Sequence, residues 1–500
     1  MYATFFFFFR ILTSLSKQVS YVSNAYTYMR GAITSIQLVA KLPFGSYMVR
    51  IGSLLRQLLD KFESFAMILR RPIEFFYCWL SLIAIFLSGC SSIEKNHRSL
   101  NRFYSARSVL KSWRRKAQEQ SARFFDRLPK NPEVFYTPPE VIRSRGYPVE
   151  VHHITTDDGY ILEIHRIPAQ SSGGPKKAVF LQHGVLESSG TWLVNPSKRS
   201  LPFLLADKSY DVWIGNFRGN RYSRRHVTLN PDETEFWKFS WDEIGNYDLP
   251  AVINYILKTT GQSKLSYIGH SLGCGTFFIA MVKHPELNSK IDVMVALAPL
   301  SSFAHFTNAI YRMLAPLDRI IQTYLQMVGT WGWLDSQGFG DRFFNSLCGK
   351  TYTLANRCAD ILRVFSGPNP SNNFDPPVVP LMIVNVFQGT SVPVIAQFAQ
   401  NFHAGVTFQA YDYGPRENIM RYGSTRPMEY NLDQITAPIY VFSGGNDTIV
   451  TPMDVDWLLT QLKNMKGSAR IPEYNHLDFI WGTDVKEKLY DQVMALLPPP

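Results

Sequence analysis

The feature that most restricts this chain is a serine flanked by glycines at the end of an apolar run. Leu265–Ile268 leads directly into Gly269-His270-Ser271-Leu272-Gly273, and small and apolar residues continue from Cys274 to Phe278. The run reads as a buried strand and Thr276–Lys283 as a helix. Glycines two before and two after the serine leave room where a side chain would collide, so the backbone can turn sharply from strand to helix. Such a turn lifts the hydroxyl clear of the sheet. It also aims the first helical N–H groups at an anion developing above it.

From Asn131 onward the chain supplies a sheet to carry this turn. Val149–Ile154 and Tyr160–Ile167 read as a hairpin around Asp157-Asp158-Gly159, a strong turn signal. Ala178–Gln182, Asp211–Ile214, Asp292–Ala298 and Ile439–Phe442 are further strand candidates, and Asp248–Lys258 is helical by period. Strands alternating with helices predict an α/β fold with a mostly parallel central sheet flanked by helices.

A serine hydroxyl becomes a nucleophile when a base takes its proton, and an acid must orient that base. In α/β-hydrolases the chain order is serine, acid, histidine, with the last two on loops after later strands. Asp447 follows Ile439–Phe442 on the loop Ser443-Gly444-Gly445-Asn446. Asp454 and Asp456 are rivals, but the apolar period after Pro452 places them at a helix N-terminus. His476 follows the short strand candidate Ala469–Ile471 and is the only histidine beyond Asp447, whereas His403 would break the order. The N–H of Leu272, just after the serine, is one candidate oxyanion donor. The N–H of Val185, in Gln182-His183-Gly184-Val185, is the other.

Several stretches share a pattern in a fixed order: Gly146-Tyr147-Pro148, Thr156 to Leu162, Leu181-Gln182-His183-Gly184, Tyr210 to Trp213 and Arg218-Gly219-Asn220. Ser223 to His226, Tyr247 to Pro250 and Asn475-His476-Leu477-Asp478-Phe479 continue it. From about Asn131 to Leu497 the chain thereby resembles the acid lipase family of α/β-hydrolases, which includes lysosomal and gastric lipases and steryl ester hydrolases. The resemblance implies Ser271, Asp447 and His476 as catalytic residues and Val185 and Leu272 as oxyanion donors. It also implies long-chain fatty esters, triacylglycerol or steryl ester, as substrates at a lipid–water interface. Members often carry Gln where this chain has Leu272, but only the N–H of that residue is used. Alternatives on the same scaffold are a carboxylesterase, an acyltransferase or a catalytically silent binding protein.

The hydrolase core is expected in two parts, 131–298 and 432–500, around a long insertion at 299–431. That insertion is rich in aromatics, among them Phe303, Phe306, Trp331, Trp333, Phe343 and Phe344. The resemblance implies a helical cap and lid, and an insertion of this length is more plausibly a subdomain than a loop. Cys348 and Cys358, ten apart, could be bridged in an oxidising compartment, and Cys274 reads as a buried thiol. Arg218, Arg224 and Arg225 are expected to pair with Asp242, Glu243 and Asp248.

Charge separates the N-terminal region from the rest. Residues 1–130 carry 20 Lys/Arg and 6 Asp/Glu, a net of +14, which leaves 31 and 34, a net of −3, for 131–500. The catalytic region therefore lacks the basic stripe a nucleic-acid-binding domain needs. An apolar segment at about 73–90 follows Arg70-Arg71 and precedes small residues. It reads as a secretory signal, an anchor or a segment lying in one leaflet. A secreted, lysosomal or membrane-anchored destination follows, with lipid-droplet association as an alternative. Five cysteines in 500 residues exclude a disulfide-built scaffold, and no paired Cys/His spacing calls for a metal or cofactor.

Overall fold

Successive side chains on a strand point to opposite faces, and the central strands here are apolar on both. The computed structural model describes residues 132–170, 176–308, 312, 332–333, 358–360, 362–364, 366–368 and 373–500. Cys348, much of the insertion, and the N-terminal region with its apolar segment lie outside the described residues. The strands of the first half are β1 (Glu150–Thr155), β2 (Tyr160–Ile167), β3 (Ala178–Gln182), β4 (Asp211–Ile214), β5 (Arg225–His226), β6 (Leu265–His270) and β7 (Ile291–Leu297). Those of the second are β8 (Gly332–Trp333), β9 (Thr390–Ser391), β10 (Ile439–Gly444) and β11 (Met465–Ile471).

The main sheet runs in the order β1-β2-β4-β3-β6-β7-β10-β11, with β5 beside β2. The β1–β2, β2–β4 and β2–β5 pairs are antiparallel; from β4 to β11 all pairs are parallel. β8 and β9 form a separate antiparallel pair. Phe180, Tyr267, Met294 and Ala296 face one apolar layer, whereas Val179, Leu181, Ile268, Val293 and Val295 face the other. The helices are α1 (Pro138–Ser144), α2 (Leu201–Asp207), α3 (Leu249–Thr260), α4 (Leu272–Lys283), α5 (Val379–Val386), α6 (Val392–Ala404), α7 (Pro415–Tyr422), α8 (Pro452–Gln461) and α9 (Asp491–Leu496). α3 and α4 cover the first layer; α1, α2, α5 and α9 cover the second.

Element boundaries differ from the sequence expectation for physical reasons. β6 runs on through Gly269 and His270, because those residues still pair with Ala296 and Leu297 of β7. α4 begins at Leu272, directly after the turn, so Gly273 and Gly275 are helical despite their low propensity. β11 is seven residues long; its exposed Lys466, Ser468 and Arg470 alternate with inward positions that include Gly467 and Ala469, too small to give an apolar signal. Phe303 and Phe306 of the insertion stack with ring centroids 4.3 Å apart and join the α3–α4 core layer.

The arginine pairing is met at Arg218 and Asp248, and Asp158 joins it. Arg218 is buried between two carboxylates: its Nε donates to Asp248 at 2.8 Å, and its two Nη groups reach Asp158 at 2.6 and 2.9 Å. Burial opposes the charge, and Asp248 and Asp158 outweigh burial, so the guanidinium is held protonated. It also lies 4.0 Å from the Tyr160 ring centroid. Asp158 belongs to the β1–β2 turn and Asp248 precedes α3, so one side chain ties the hairpin to the helical layer. Asp242 instead accepts from the Tyr411 N–H at 2.8 Å and from the Tyr430 hydroxyl. Glu243 caps Ser240 at 2.7 Å, Arg224 lies over the Trp237 ring, and Arg225 is exposed.

Removing one partner of a buried ion network leaves uncompensated charge, at about 3–5 kcal/mol. Arg218→Met is therefore expected to lower unfolding free energy by that amount in urea titration. A loss below about 1 kcal/mol would show that the Arg218 network is not a main support of this fold.

Candidate active site

The last hydrogen-bonded strand residue before the turn is His270, and the first helical residue after it is Leu272. Ser271 between them has φ +53° and ψ −118°, a conformation that non-glycine residues rarely adopt. Its N–H donates to Leu297 on β7 at 3.0 Å, so the strained residue is anchored to the sheet. A Cβ on Gly273 would stand 2.6 Å from the Gln182 carbonyl oxygen and 2.8 Å from that of His183, contacts backbone cannot relieve. The helix therefore approaches β3 as closely as it does only because residue 273 is glycine.

The sequence-predicted acid and base converge on this turn. His476 Nε2 lies 2.9 Å from Ser271 Oγ, and His476 Nδ1 lies 2.7 Å from Asp447 Oδ2. The pattern assigns Nδ1–H as donor to the carboxylate and Nε2 as acceptor from the serine. All three side chains are buried, Ser271 at 2% exposure, Asp447 at 3% and His476 at 5%. The second carboxylate oxygen, Asp447 Oδ1, accepts from the N–H groups of Ile449 at 2.8 Å and Val450 at 2.9 Å.

Two loops hold the acid and base in register. The Asn446 N–H donates to the Tyr474 carbonyl at 3.0 Å, and Gly444 and Gly445 let that loop pass close to Tyr474 and Pro472. Asn475 Oδ1 accepts from the N–H groups of Leu477 and Asp478 and its Nδ2 donates to the Gly367 carbonyl. The His476 N–H donates to the Ser366 carbonyl at 3.2 Å. Ser366 and Gly367 come from the insertion and had no local sequence signal. Asn446 donates its side-chain amide to the Glu473 carbonyl at 3.1 Å, which engages the one sequon of the chain.

Leu272 opens α4, so its N–H has no acceptor within the helix. The Val185 N–H, in the turn after β3, donates to no acceptor among the described residues. This turn is anchored by His183, whose Nδ1–H donates to the Gly184 carbonyl at 2.7 Å and whose Nε2 accepts from the Phe217 N–H at 3.2 Å. Burial pushes the His183 pKa down to about 4, so the ring is a neutral strut. Leu186, next to Val185, has φ +61°. Its carbonyl accepts from the Gln388 N–H at 2.8 Å.

The other flagged residues lie apart from this chemistry. Asp454 sits at the start of α8 and accepts from Ser302, Thr451 and the His305 ring; Asp456 pairs with Arg470. Cys274 is buried and free, and burial pushes its thiol well above the usual range. Cys358 is buried and disulfide-bonded. Among the described residues no group of three or more His, Cys, Asp or Glu is gathered as for a metal ion. A serine, imidazole and carboxylate in line beside two unengaged N–H groups are suited to nucleophilic acyl transfer.

Comparison with known proteins accords with this chemistry. Residues 138–196 match a family model described as a partial alpha/beta-hydrolase lipase region, and residues 177–331 match the alpha/beta hydrolase fold. The gastric triacylglycerol lipase of Bos taurus is 38% identical over 390 residues, covering 75% of this chain and 94% of that protein. The gastric triacylglycerol lipase of Homo sapiens is 38% identical, covering 74% of this chain and 92% of its own length. Lipase 1 of Drosophila melanogaster is 39% identical, covering 72% and 79%. The chain belongs to the acid lipase family of α/β-hydrolases, the family of the gastric triacylglycerol lipases.

Proposed function

We propose that this ester-hydrolysing lipase cleaves long-chain fatty acyl esters, triacylglycerol or steryl ester, through Ser271, His476 and Asp447. The reading rests on one observation: the unbroken line from Ser271 Oγ to His476 Nε2 at 2.9 Å and from His476 Nδ1 to Asp447 at 2.7 Å. His476 Nε2 takes the hydroxyl proton as Ser271 Oγ attacks the ester carbonyl. Charge moves onto the carbonyl oxygen, which the Leu272 and Val185 N–H groups stabilise. Asp447 steadies the imidazolium, which gives its proton to the departing alcohol. Water, deprotonated by the same ring, then releases the fatty acid from Ser271.

The relatives support a lipid substrate. The relatives named as gastric lipases act on triacylglycerol by name, and the insertion supplies Ser366 and Gly367 to the histidine loop. We read residues 299–431 as a cap and lid, and residues 1–130 as the region that delivers the chain to the secretory pathway or to a membrane. No described helix is long and apolar enough to cross a membrane.

Two outcomes test the reading. Ser271→Ala is expected to lose about 10⁴-fold or more in hydrolysis rate with an unchanged unfolding midpoint; an unchanged rate on triolein would remove the assignment. Triolein and cholesteryl oleate are expected to be cleaved faster than short-chain esters. Preferential turnover of short-chain esters, or acyl transfer to an added alcohol in place of hydrolysis, would favour the carboxylesterase or acyltransferase alternatives.

A further inference from the structure

A second imidazole and carboxylate lie against the first. His270, the residue before Ser271, is buried at 1% exposure, and its ring centroid is 4.9 Å from that of His476. Its Nε2 lies 3.0 Å from the main-chain carbonyl oxygen of His476. A carbonyl only accepts, so Nε2 carries hydrogen and His270 holds the backbone of the histidine that faces the serine. The other ring nitrogen, Nδ1, is buried without a hydrogen-bond partner and stands 3.7 Å from Glu187 Oε2.

Glu187 is the third element of this arrangement. It is 4% exposed, and its Oε2 accepts from the Gly184 N–H at 2.9 Å, one residue before the Val185 donor. Burial works against its charge, but the neighbouring His270 ring and the Gly184 N–H hold its pKa below the usual glutamate range. A buried carboxylate needs a compensating partner. His183 is not that partner, since its Nδ1–H is given to Gly184 and its Nε2 accepts from Phe217. His270 remains. The titratable groups facing it are Glu187 and His183 from the loop after β3 and His476 from the C-terminal loop, with Asp447 behind.

We propose that His270 and Glu187 form a second imidazole–carboxylate pair, with His270 as a positioning residue that couples the Gly184–Val185 loop to the His476 backbone. One carboxylate sets the turn that carries the Val185 N–H, and the ring it faces sets the height of the base. The pair therefore fixes the spacing between an oxyanion donor and the general base, which neither Ser271 nor Asp447 controls. This inference rests on the Ser271 reading above.

A double-mutant cycle tests it. Wild type, His270→Gln, Glu187→Gln and the double variant are assayed for kcat and KM on p-nitrophenyl butyrate. The rate at which a fluorescent phosphonate labels Ser271 is measured in parallel. Gln at 270 can still donate near the His476 carbonyl but offers Glu187 no ring. The single variants are expected to lose about 30-fold and about tenfold in kcat, with KM within about twofold. The double variant is expected to lose about 30-fold, because the carboxylate left unpaired by the first change is removed by the second. Losses that multiply to about 300-fold, or that fall on KM alone, overturn the coupling. Should His270→Gln fail to fold, Glu187→Gln alone decides: labelling about tenfold slower supports the pair, and labelling at the wild-type rate overturns it. Wild-type protein that the phosphonate does not label would instead overturn the Ser271 reading, and the pair with it.

Discussion

The backbone conformation of Ser271 is the constraint on which the rest of the site depends. A positive φ at a residue with a side chain costs on the order of 1–3 kcal/mol and persists only where the surroundings over-determine it. Here the surroundings are the sheet itself. β6 lies between β3 and β7, the Ser271 N–H is tied to Leu297, and the helix after the turn passes the carbonyls of Gln182 and His183 at a distance only glycine permits. Relaxing the turn would require parting β3 from α4, in the middle of two apolar layers. The strain is therefore carried where the sheet is buried on both faces, and the hydroxyl is presented at a fixed height.

The acid and base reach that height from strands further out in the same half of the sheet. Ser271 and His476 are 205 residues apart in sequence, so their meeting depends on the parallel order β6-β7-β10-β11. β10 delivers Asp447 and β11 delivers His476, both just past the ends of their strands. The two loops are bound to each other through Asn446 and Tyr474, and to the insertion through Ser366 and Gly367. The imidazole is thus positioned by three separated segments, of which the sequence announces two.

What was readable in the chain is what is local. The elbow, the doubly apolar strands and the glycine loop before Asp447 all announce themselves within a few residues. The partner of Arg218 in the β1–β2 turn, Asp158, is not legible in the sequence because the pair spans 60 residues and joins a hairpin to the loop after β4. Glu187 gave no signal for the same reason: its meaning comes from His270, which the fold brings to it from β6. Only 469–471 of β11 stands out in the sequence, because Gly467, an inward position before it, gives little apolar signal. α4 starts four residues before the Thr276 that the sequence suggests, because glycine is a poor helix former and here packing outweighs propensity.

That polar edge has a bearing on how the molecule behaves in a crowded solution. Among the described residues β11 pairs with β10 alone and closes one margin of the sheet, the kind of rim along which other chains can zip themselves on. Lys466 and Arg470 put like charge at both ends of it, and Gly467 weakens its middle as a template. An incoming strand would have to settle beside Lys466 and the Arg470–Asp456 ion pair to gain its ladder. The margin that carries the base to its place is thus also the one guarded against fibril growth.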